Sequence, residues 1–180
     1  MPSPAPRIPD LIWQPLRHDE ITASVTAAAI PQARLCVGLA AVHAARPGQI
    51  RALQLDDVDL VGRRMTIVGN SRRLDELTTQ VLLEWLSHRR ECWPGTANRH
   101  LLVSTASALG HMPVSATWIL NLRGLPGTLE RLRIDRQLEE ALAAGGDPLH
   151  LAAVFGFSEA TAIRWAINAR LLQAPPAGLA

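Results

Sequence analysis

The sequence predicts a mainly α-helical fold that carries one small antiparallel β-sheet, an α+β class. Three observations lead to this expectation. Apolar residues recur at helical spacing over most of the chain, two short β-prone runs flank Val61-Gly62-Arg63, and Pro or Gly residues separate the segments. With 180 residues, 48% of them hydrophobic, the chain is long enough to bury a core without disulfides.

The first half of the chain contains helical patterns and one hairpin pattern. The segment 32–45 is apolar almost all round, which is typical of a buried helix. Strands at 58–60 and 64–68 form the hairpin, and the turn at 69–71 leads into a third short strand or a coil. Helices are predicted at 19–30, 32–45, 47–55 and 75–92.

The second half is predicted to be helical after a stretch, 95–114, that shows no clear pattern. Gly145-Gly146 ends a long amphipathic helix, Asp147 caps the next one with Pro148 at its first position, and Ser158 caps the last. Helices are predicted at 115–122, 128–144, 148–155 and 158–172.

Two absences in the composition limit the chemistry. The chain has no Tyr, and all 18 of its basic residues are Arg. A reaction that requires a tyrosine nucleophile or a lysine acid therefore cannot run on this chain alone. The net charge of +2 and the pI near 9.0 permit an anionic partner without demonstrating one.

Metal and cofactor chemistry are not expected. Cys36 and Cys92 lie far apart, so we expect two buried thiols rather than a zinc site or a disulfide. The six His residues show no metal-binding spacing such as HExxH, and no G-x-S-x-G pattern marks a serine nucleophile.

The ends of the chain differ in composition from the middle. Residues 1–16, with four prolines before Trp13, are predicted to be an extended leader, 17–172 a single domain, and 173–180 a flexible tail. The chain shows neither the apolar core of a secretory signal nor an apolar run of the ~18 residues that span a bilayer. We expect a cytoplasmic protein without membrane contact.

The segment DPLHLAAVFGFSEATAIRWAINAR has the internal pattern of a helix-turn-helix. Gly156 lies in the turn, and small or apolar residues fill the positions between the two helices. Such a unit presents the start of its second helix to the major groove, which would bring Ser158, Glu159 and Arg164 to the DNA. An ordinary corner of two packed helices explains the same pattern equally well.

A family resemblance rests on the order of motifs along residues 17–172. These motifs are HAARPGQIRALQLDDVDL, then the hairpin and an amphipathic helix, and finally LRIDRQLEEALAAGGDPLHLAAVFGFSEATAIRW. The chain resembles the catalytic domain of tyrosine recombinases, the phage-integrase-like family. The resemblance implies that Arg46 binds a DNA phosphate, together with Arg133 or else Arg131. A guanidinium group suits that role because it donates two parallel hydrogen bonds to phosphate.

The departures from the family pattern fall on the chemistry of strand cleavage. The position of the nucleophilic tyrosine falls at or beside Trp165, and that of the hairpin lysine near 69–72, in a chain without lysine. The two histidine positions of the family fall on Glu130 and Phe157. The resemblance therefore implies a pseudoenzyme with no catalytic residue left.

These motifs predict a DNA-binding, integrase-like protein that acts in recombination, integration or their regulation without cleaving strands. Its expected partners are double-stranded DNA and either an active recombinase or a second copy. A dimeric helix-turn-helix transcriptional regulator is one alternative, and a protein-interaction module or the product of a decayed mobile-element gene is another.

Each candidate residue also has a structural interpretation. Arg46 could form a surface ion pair with Asp56 or Asp57, worth about 0 to 1 kcal/mol. Arg131 and Arg133 could belong to a solvated helix face of mixed charge. Trp165 is interpreted as a core residue.

Overall fold

The computed structural model describes Ala28, residues 30–122 and residues 129–173. These residues form two compact units, divided between Arg136 and Gln137. We call them the N-terminal unit and the C-terminal unit. The predicted leader, nearly all of the helix at 19–30 and the tail after Gln173 lie outside the described residues. That 17–172 is a single domain stays a prediction.

The fold is mainly helical with one small antiparallel sheet, which confirms the predicted class. The N-terminal unit contains α1 (Pro31–Ala41), α2 (Pro47–Ala52), β1 (Val58–Asp59), β2 (Arg64–Ile67), β3 (Asn70–Arg73), α3 (Glu76–Cys92) and α4 (Ala116–Leu120). The helix α5 (Leu129–Ala143) begins in this unit, and α6 (Pro148–Phe155) and α7 (Glu159–Gln173) follow it in the C-terminal unit.

The sheet has the strand order β1-β2-β3, and both pairs are antiparallel. Met65 and Ile67 of β2 are buried, whereas Arg64 is exposed, as expected for a strand with one face on the core. Met65 pairs with Arg72, so Arg72 shares the inward face of the sheet. The register therefore directs one arginine of β3 toward the body of the unit.

The helix α1 ends earlier than the sequence predicts. It stops at Ala41 rather than at residue 45, and the amide of Ala45 donates to the carbonyl of Leu39 across a turn in which Ala44 has a φ of +51°. Ala44 and Ala45 remain buried. Because the apolar run continues through a buried turn, hydrophobicity alone could not mark the end of the helix.

The helix α3 matches its prediction at both ends. Asp75 caps it by accepting a 2.8 Å hydrogen bond from the amide of Thr78. Its inner face buries Leu82 and Trp85, and the Trp85 indole donates to the carbonyl of Leu101 at 2.9 Å. These contacts fix the helix against the chain that follows it.

The stretch that gave no pattern, 95–114, is an ordered connection. Asn98 is buried, and its side-chain amide donates to the carbonyls of Ser107 and Met112 at 2.7 and 2.9 Å. Its carboxamide oxygen accepts from the amide of His100 at 2.9 Å. One buried polar side chain thus organises a segment that has no hydrophobic period.

Of the two thiols, only Cys36 is buried as predicted. Cys92 is exposed, so that part of the prediction was wrong. It is the last residue of α3, beyond the turn that Trp85 anchors in the core, and its Sγ lies 3.6 Å from Nε2 of His88. Burial raises the pKa of the Cys36 thiol, which therefore stays protonated.

The C-terminal unit is built around small residues. Asp147 caps α6 through a 2.9 Å hydrogen bond from the amide of Leu149, and Gly156 ends α6 in the left-handed region with a φ of +66°. The buried cluster consists of Ala141, Leu151, Ala162, Ala166 and Ala169. The helices α6 and α7 both occur where the sequence predicts them.

Two kinds of feature are absent from the described part of the chain. No helix there has the length and apolar character that crossing a membrane requires. No group of three or more His, Cys, Asp or Glu side chains is arranged there to hold a metal ion.

Candidate phosphate-binding site

Arg133 lies in the second turn of α5 and is paired with a carboxylate one turn earlier. Its Nε donates to Oε2 of Glu130 at 3.0 Å, and its Nη2 donates to Oε1 of the same side chain. The Arg133 side chain is only 10% exposed. The interpretation of Arg133 as part of a solvated face was therefore wrong, because both oxygens of Glu130 engage a buried guanidinium fork.

Two arginines stabilise the negative charge of Glu130. The hydrogen bond from Arg133 is the largest influence that lowers the pKa of Glu130, and the positive charges of Arg133 and Arg46 lower it further, against a smaller effect of burial. Arg46 thus lies near enough to act on this carboxylate. Two of the predicted phosphate-binding residues, Arg46 and Arg133, therefore act on the same carboxylate.

Arg46 is positioned by the start of α2. It is the residue before Pro47, its backbone amide donates to Oε1 of Gln49 at 2.8 Å, and its side chain is exposed. Of the two acids proposed as its partners, Asp56 pairs with Arg99, and Asp57 accepts from the amide of Gln54.

The side chains of Arg131 and Arg133 point in different directions. Two residues along an α-helix correspond to a rotation of about 200°, so the two side chains leave α5 on nearly opposite sides. Arg131 is partly buried there. The two arginines therefore lie on different faces of α5, and Arg133 is the one that pairs with Glu130, the carboxylate on which Arg46 also acts.

Arg72 is a residue that the sequence reasoning missed. Its Nη1 donates to the carbonyl of His43 at 2.5 Å, three residues before Arg46 in the chain, and burial lowers the pKa of Arg72. The alternation of β3 separates Arg72 from Arg73, but the pairing of Arg72 with the buried strand residue Met65, which places Arg72 on the inward face, has no signal in the sequence. The hairpin thus supplies a third arginine next to the segment that carries Arg46.

His43, in the segment that carries Arg46, contacts residues at the start of α3. It is buried, and its Nε2 lies 3.3 Å from Oγ1 of Thr78 and 3.7 Å from Oδ2 of Asp75. Burial is the largest influence on the pKa of His43 and lowers it; Asp75 acts in the opposite direction, and the charges of Arg72 and Arg136 lower it further. The folded protein therefore favours neutral His43, which is a structural residue.

The remaining candidates lie at the start of α7 in the C-terminal unit. Ser158, Glu159 and Arg164 are all exposed, and the Ser158 hydroxyl lies 3.0 Å from the hydroxyl of Thr161. Trp165 is partly buried and stacks on Phe157 with a centroid distance of 6.4 Å and an interplanar angle of 9°. Its indole fills space in the small core, as the structural interpretation expects.

The two arginines that act on Glu130 are suited to recognise an oxyanion. Two guanidinium groups carry positive charge at any working pH and donate in fixed directions. The surroundings contain no tyrosine hydroxyl, because the chain has none. We call the group of Arg46, Glu130 and Arg133 the arginine site.

Comparison with solved structures identifies the fold. XerA recombinase superimposes with a TM-score of 0.67 at 21% identity, over 88% of this chain and 64% of that one. XerH site-specific recombinase, in a post-cleavage complex with its palindromic difH substrate, gives 0.65 at 15%, over 91% and 52%. The integrase from mycobacterium phage Brujita gives 0.60 at 16%, over 93% and 61%. The chain therefore has the recombinase and integrase catalytic-domain fold, as the resemblance implies.

The chain spans less than two thirds of the length of each of these three structures. No protein-family model and no curated protein matches it.

Proposed function

We propose that this chain binds duplex DNA through its phosphate backbone, as an integrase-like protein that takes part in recombination, in integration or in their regulation. The observation that carries the proposal is the buried guanidinium fork of Arg133 on Glu130, a carboxylate near enough to Arg46 for the charge of Arg46 to act on it. An anion-binding pair of guanidinium groups at this point is what phosphate recognition requires.

The proposal excludes strand cleavage by this chain. A tyrosine recombinase attacks a phosphodiester with a tyrosine hydroxyl, and no residue of this sequence supplies one. Trp165, at or beside the corresponding position, has an indole N–H that donates hydrogen bonds but has no nucleophilic oxygen. The protein would hold DNA in the cytoplasm beside an active recombinase or a second copy of itself.

The solved structures support DNA as the partner. XerH is described with its difH substrate, and the Tn1549 transposon integrase, of similar fold, in complex with circular intermediate DNA. In our proposal the start of α7 adds a second contact. Ser158, Glu159 and Arg164 are exposed there, and Arg164 supplies the positive charge.

A second candidate function is a protein-interaction module without DNA contact. The observation that favours it is Glu130, since an acid already satisfies the fork of Arg133. The net charge of +2 is also small for a nucleic-acid-binding protein.

Salt-dependent binding separates the two candidates. We would titrate a fluorescent random duplex with the wild type and with Arg46→Ala, measuring anisotropy at several salt concentrations. The proposal predicts that log K falls linearly with log salt and that Arg46→Ala reduces the slope by about one. Arg90→Ala is the matched control, because Arg90 is exposed near the end of α3.

The outcome favouring the protein-interaction candidate is the absence of binding even at low salt. An equal loss of slope in Arg46→Ala and Arg90→Ala would mean that DNA is held by general charge and would contradict the arginine site.

A further inference from the structure

We propose that Glu130 is an internal competitor for the phosphate that the arginine site binds, so that DNA reaches Arg133 only when the Glu130 carboxylate moves away. The inference rests on the proposed function and specifies how access to that same site is controlled. It concerns the residue of this chain that decides whether the site accepts an anion.

The geometry places the carboxylate where a phosphate would bind. A guanidinium group receives carboxylates and phosphates on the same donor edges, through two parallel hydrogen bonds. In Arg133, the edge formed by Nε and Nη2 is engaged by both oxygens of Glu130. A phosphate oxygen cannot use that edge until the carboxylate leaves it.

Exposure shows which partner an incoming anion meets first. The Arg133 side chain is 10% exposed, whereas that of Glu130 is 47% exposed. The carboxylate therefore lies on the solvent side of the pair. It can rotate outward about its own torsions while Arg133 stays in place, so the exchange of partners needs no change in α5.

The charges oppose phosphate binding as long as Glu130 remains. Glu130 is in the first turn of α5, where the positive end of the helix stabilises an acid. Arg133 and Arg46 hold its pKa below the usual range, so it is ionised at neutral pH. A phosphodiester therefore meets a site with two positive charges and one negative charge instead of two positive charges.

The test removes the charge of Glu130 and keeps its size. Glu130→Gln leaves a neutral side chain that releases the fork of Arg133. Because the carboxylate no longer offsets one of the two positive charges at the site, the slope of log K against log salt steepens by about 0.9, and duplex affinity rises roughly tenfold at 0.1 M salt. The readout is the same anisotropy titration of the full chain.

The matched control is Asp56→Asn. It changes the net charge by the same amount and also releases an arginine, Arg99, from an ion pair in which both side chains are mostly exposed. A second variant, Glu130→Asp, keeps the negative charge at the site, so its affinity should rise much less than that of Glu130→Gln. It also reveals whether any change at position 130 simply damages the fold.

An independent probe separates this inference from the proposed function. Inorganic phosphate should raise the melting temperature of Glu130→Gln more than that of the wild type, because a ligand that binds the folded state stabilises it. This result would support Glu130 as a competitor even if no variant bound DNA, an outcome that would refute the proposed function alone.

Two results would overturn the inference. One is an equal gain in DNA affinity for Glu130→Gln and Asp56→Asn, which would show an effect of net charge only. The other is a phosphate-induced shift in melting temperature that is the same in Glu130→Gln and the wild type.

Discussion

His43 is a buried titratable residue at the junction of the segment after α1, β3 and the start of α3. The charged or titratable groups that act on it are Asp75 from α3, Arg72 from β3 and Arg136 from α5. Burial lowers its pKa in the folded state relative to the ordinary value of about 6.5. The unfolded chain therefore binds more protons than the folded chain just below that pH.

This difference predicts the direction of a pH effect on stability. The contribution of neutral His43 is complete above about pH 6.5 and is lost as the pH falls toward the lowered folded-state pKa, with a slope of at most about 1.4 kcal/mol per pH unit. Urea unfolding between about pH 7.5 and 5 should show this loss of stability. His43→Gln should make the dependence shallower, and His111→Gln, at an exposed position, should not.

Part of the dependence should remain in His43→Gln, because the pKa of His100 is also lowered, mainly by burial and also by the charge of Arg51. An unchanged pH dependence in His43→Gln would contradict the assignment of His43 as a neutral structural residue.

The candidate site was partly predictable at the level of single residues. The motif around Arg46 and the resemblance singled out Arg46 and Arg133; Arg133 pairs with Glu130, and the charge of Arg46 acts on the same carboxylate. The pairing of Glu130 was not foreseen, because the spacing of Glu130 and Arg133 fits a solvated surface pair as well as a buried one. Arg72 was missed because its direction depends on the register of a sheet, which the sequence alone did not fix.

At the level of elements, local signals predicted the helix ends where a side chain or a glycine determines them. Asp75 and Asp147 cap their helices as expected. The end of α1 was missed because buried alanines continue past it. The order in 95–114 was missed because it comes from the hydrogen bonds of Asn98, a long-range arrangement with no periodic signature.

The turn between α5 and α6 gives a second stability test. Gly145 and Gly146 have φ values of +61° and +70°, but only Gly146 lies against other atoms. A Cβ on Gly146 would lie 2.8 Å from the carbonyl oxygen of Ala166 and 3.0 Å from Cγ of Arg170, whereas one on Gly145 would meet nothing within 4 Å. Comparing alanine substitutions at the two positions therefore separates the cost of backbone strain from the cost of steric overlap.

We expect Gly145→Ala to lower the free energy of unfolding by about 1 kcal/mol, from backbone strain alone. Gly146→Ala should lower it by about 2 to 4 kcal/mol, because steric overlap with α7 adds to the strain. Denaturant unfolding followed by circular dichroism measures both. Equal losses in the two variants would contradict the close approach of α7 to this turn.

At the scale of the whole molecule, the fold was predictable because helical periods, turns and motif order all indicate the same architecture. Function was less accessible, because a net charge of +2 conceals how the charges are distributed. In the N-terminal unit, Arg72 bonds to the chain three residues before Arg46, and the charges of Arg46 and Arg133 both act on Glu130. A small net charge is therefore compatible with a local group of arginines.

In our proposal, Arg46 and Arg133 hold a DNA phosphate. The most direct measurement is NMR of the arginine Nε–Hε groups in the wild-type chain while a short duplex is added at low salt. Our account predicts that the signals of Arg46 and Arg133 shift, the latter as its partner changes from Glu130 to phosphate, while that of Arg99 stays in place. Shifts confined to other arginines, with Arg46 and Arg133 unchanged at saturation, would contradict it.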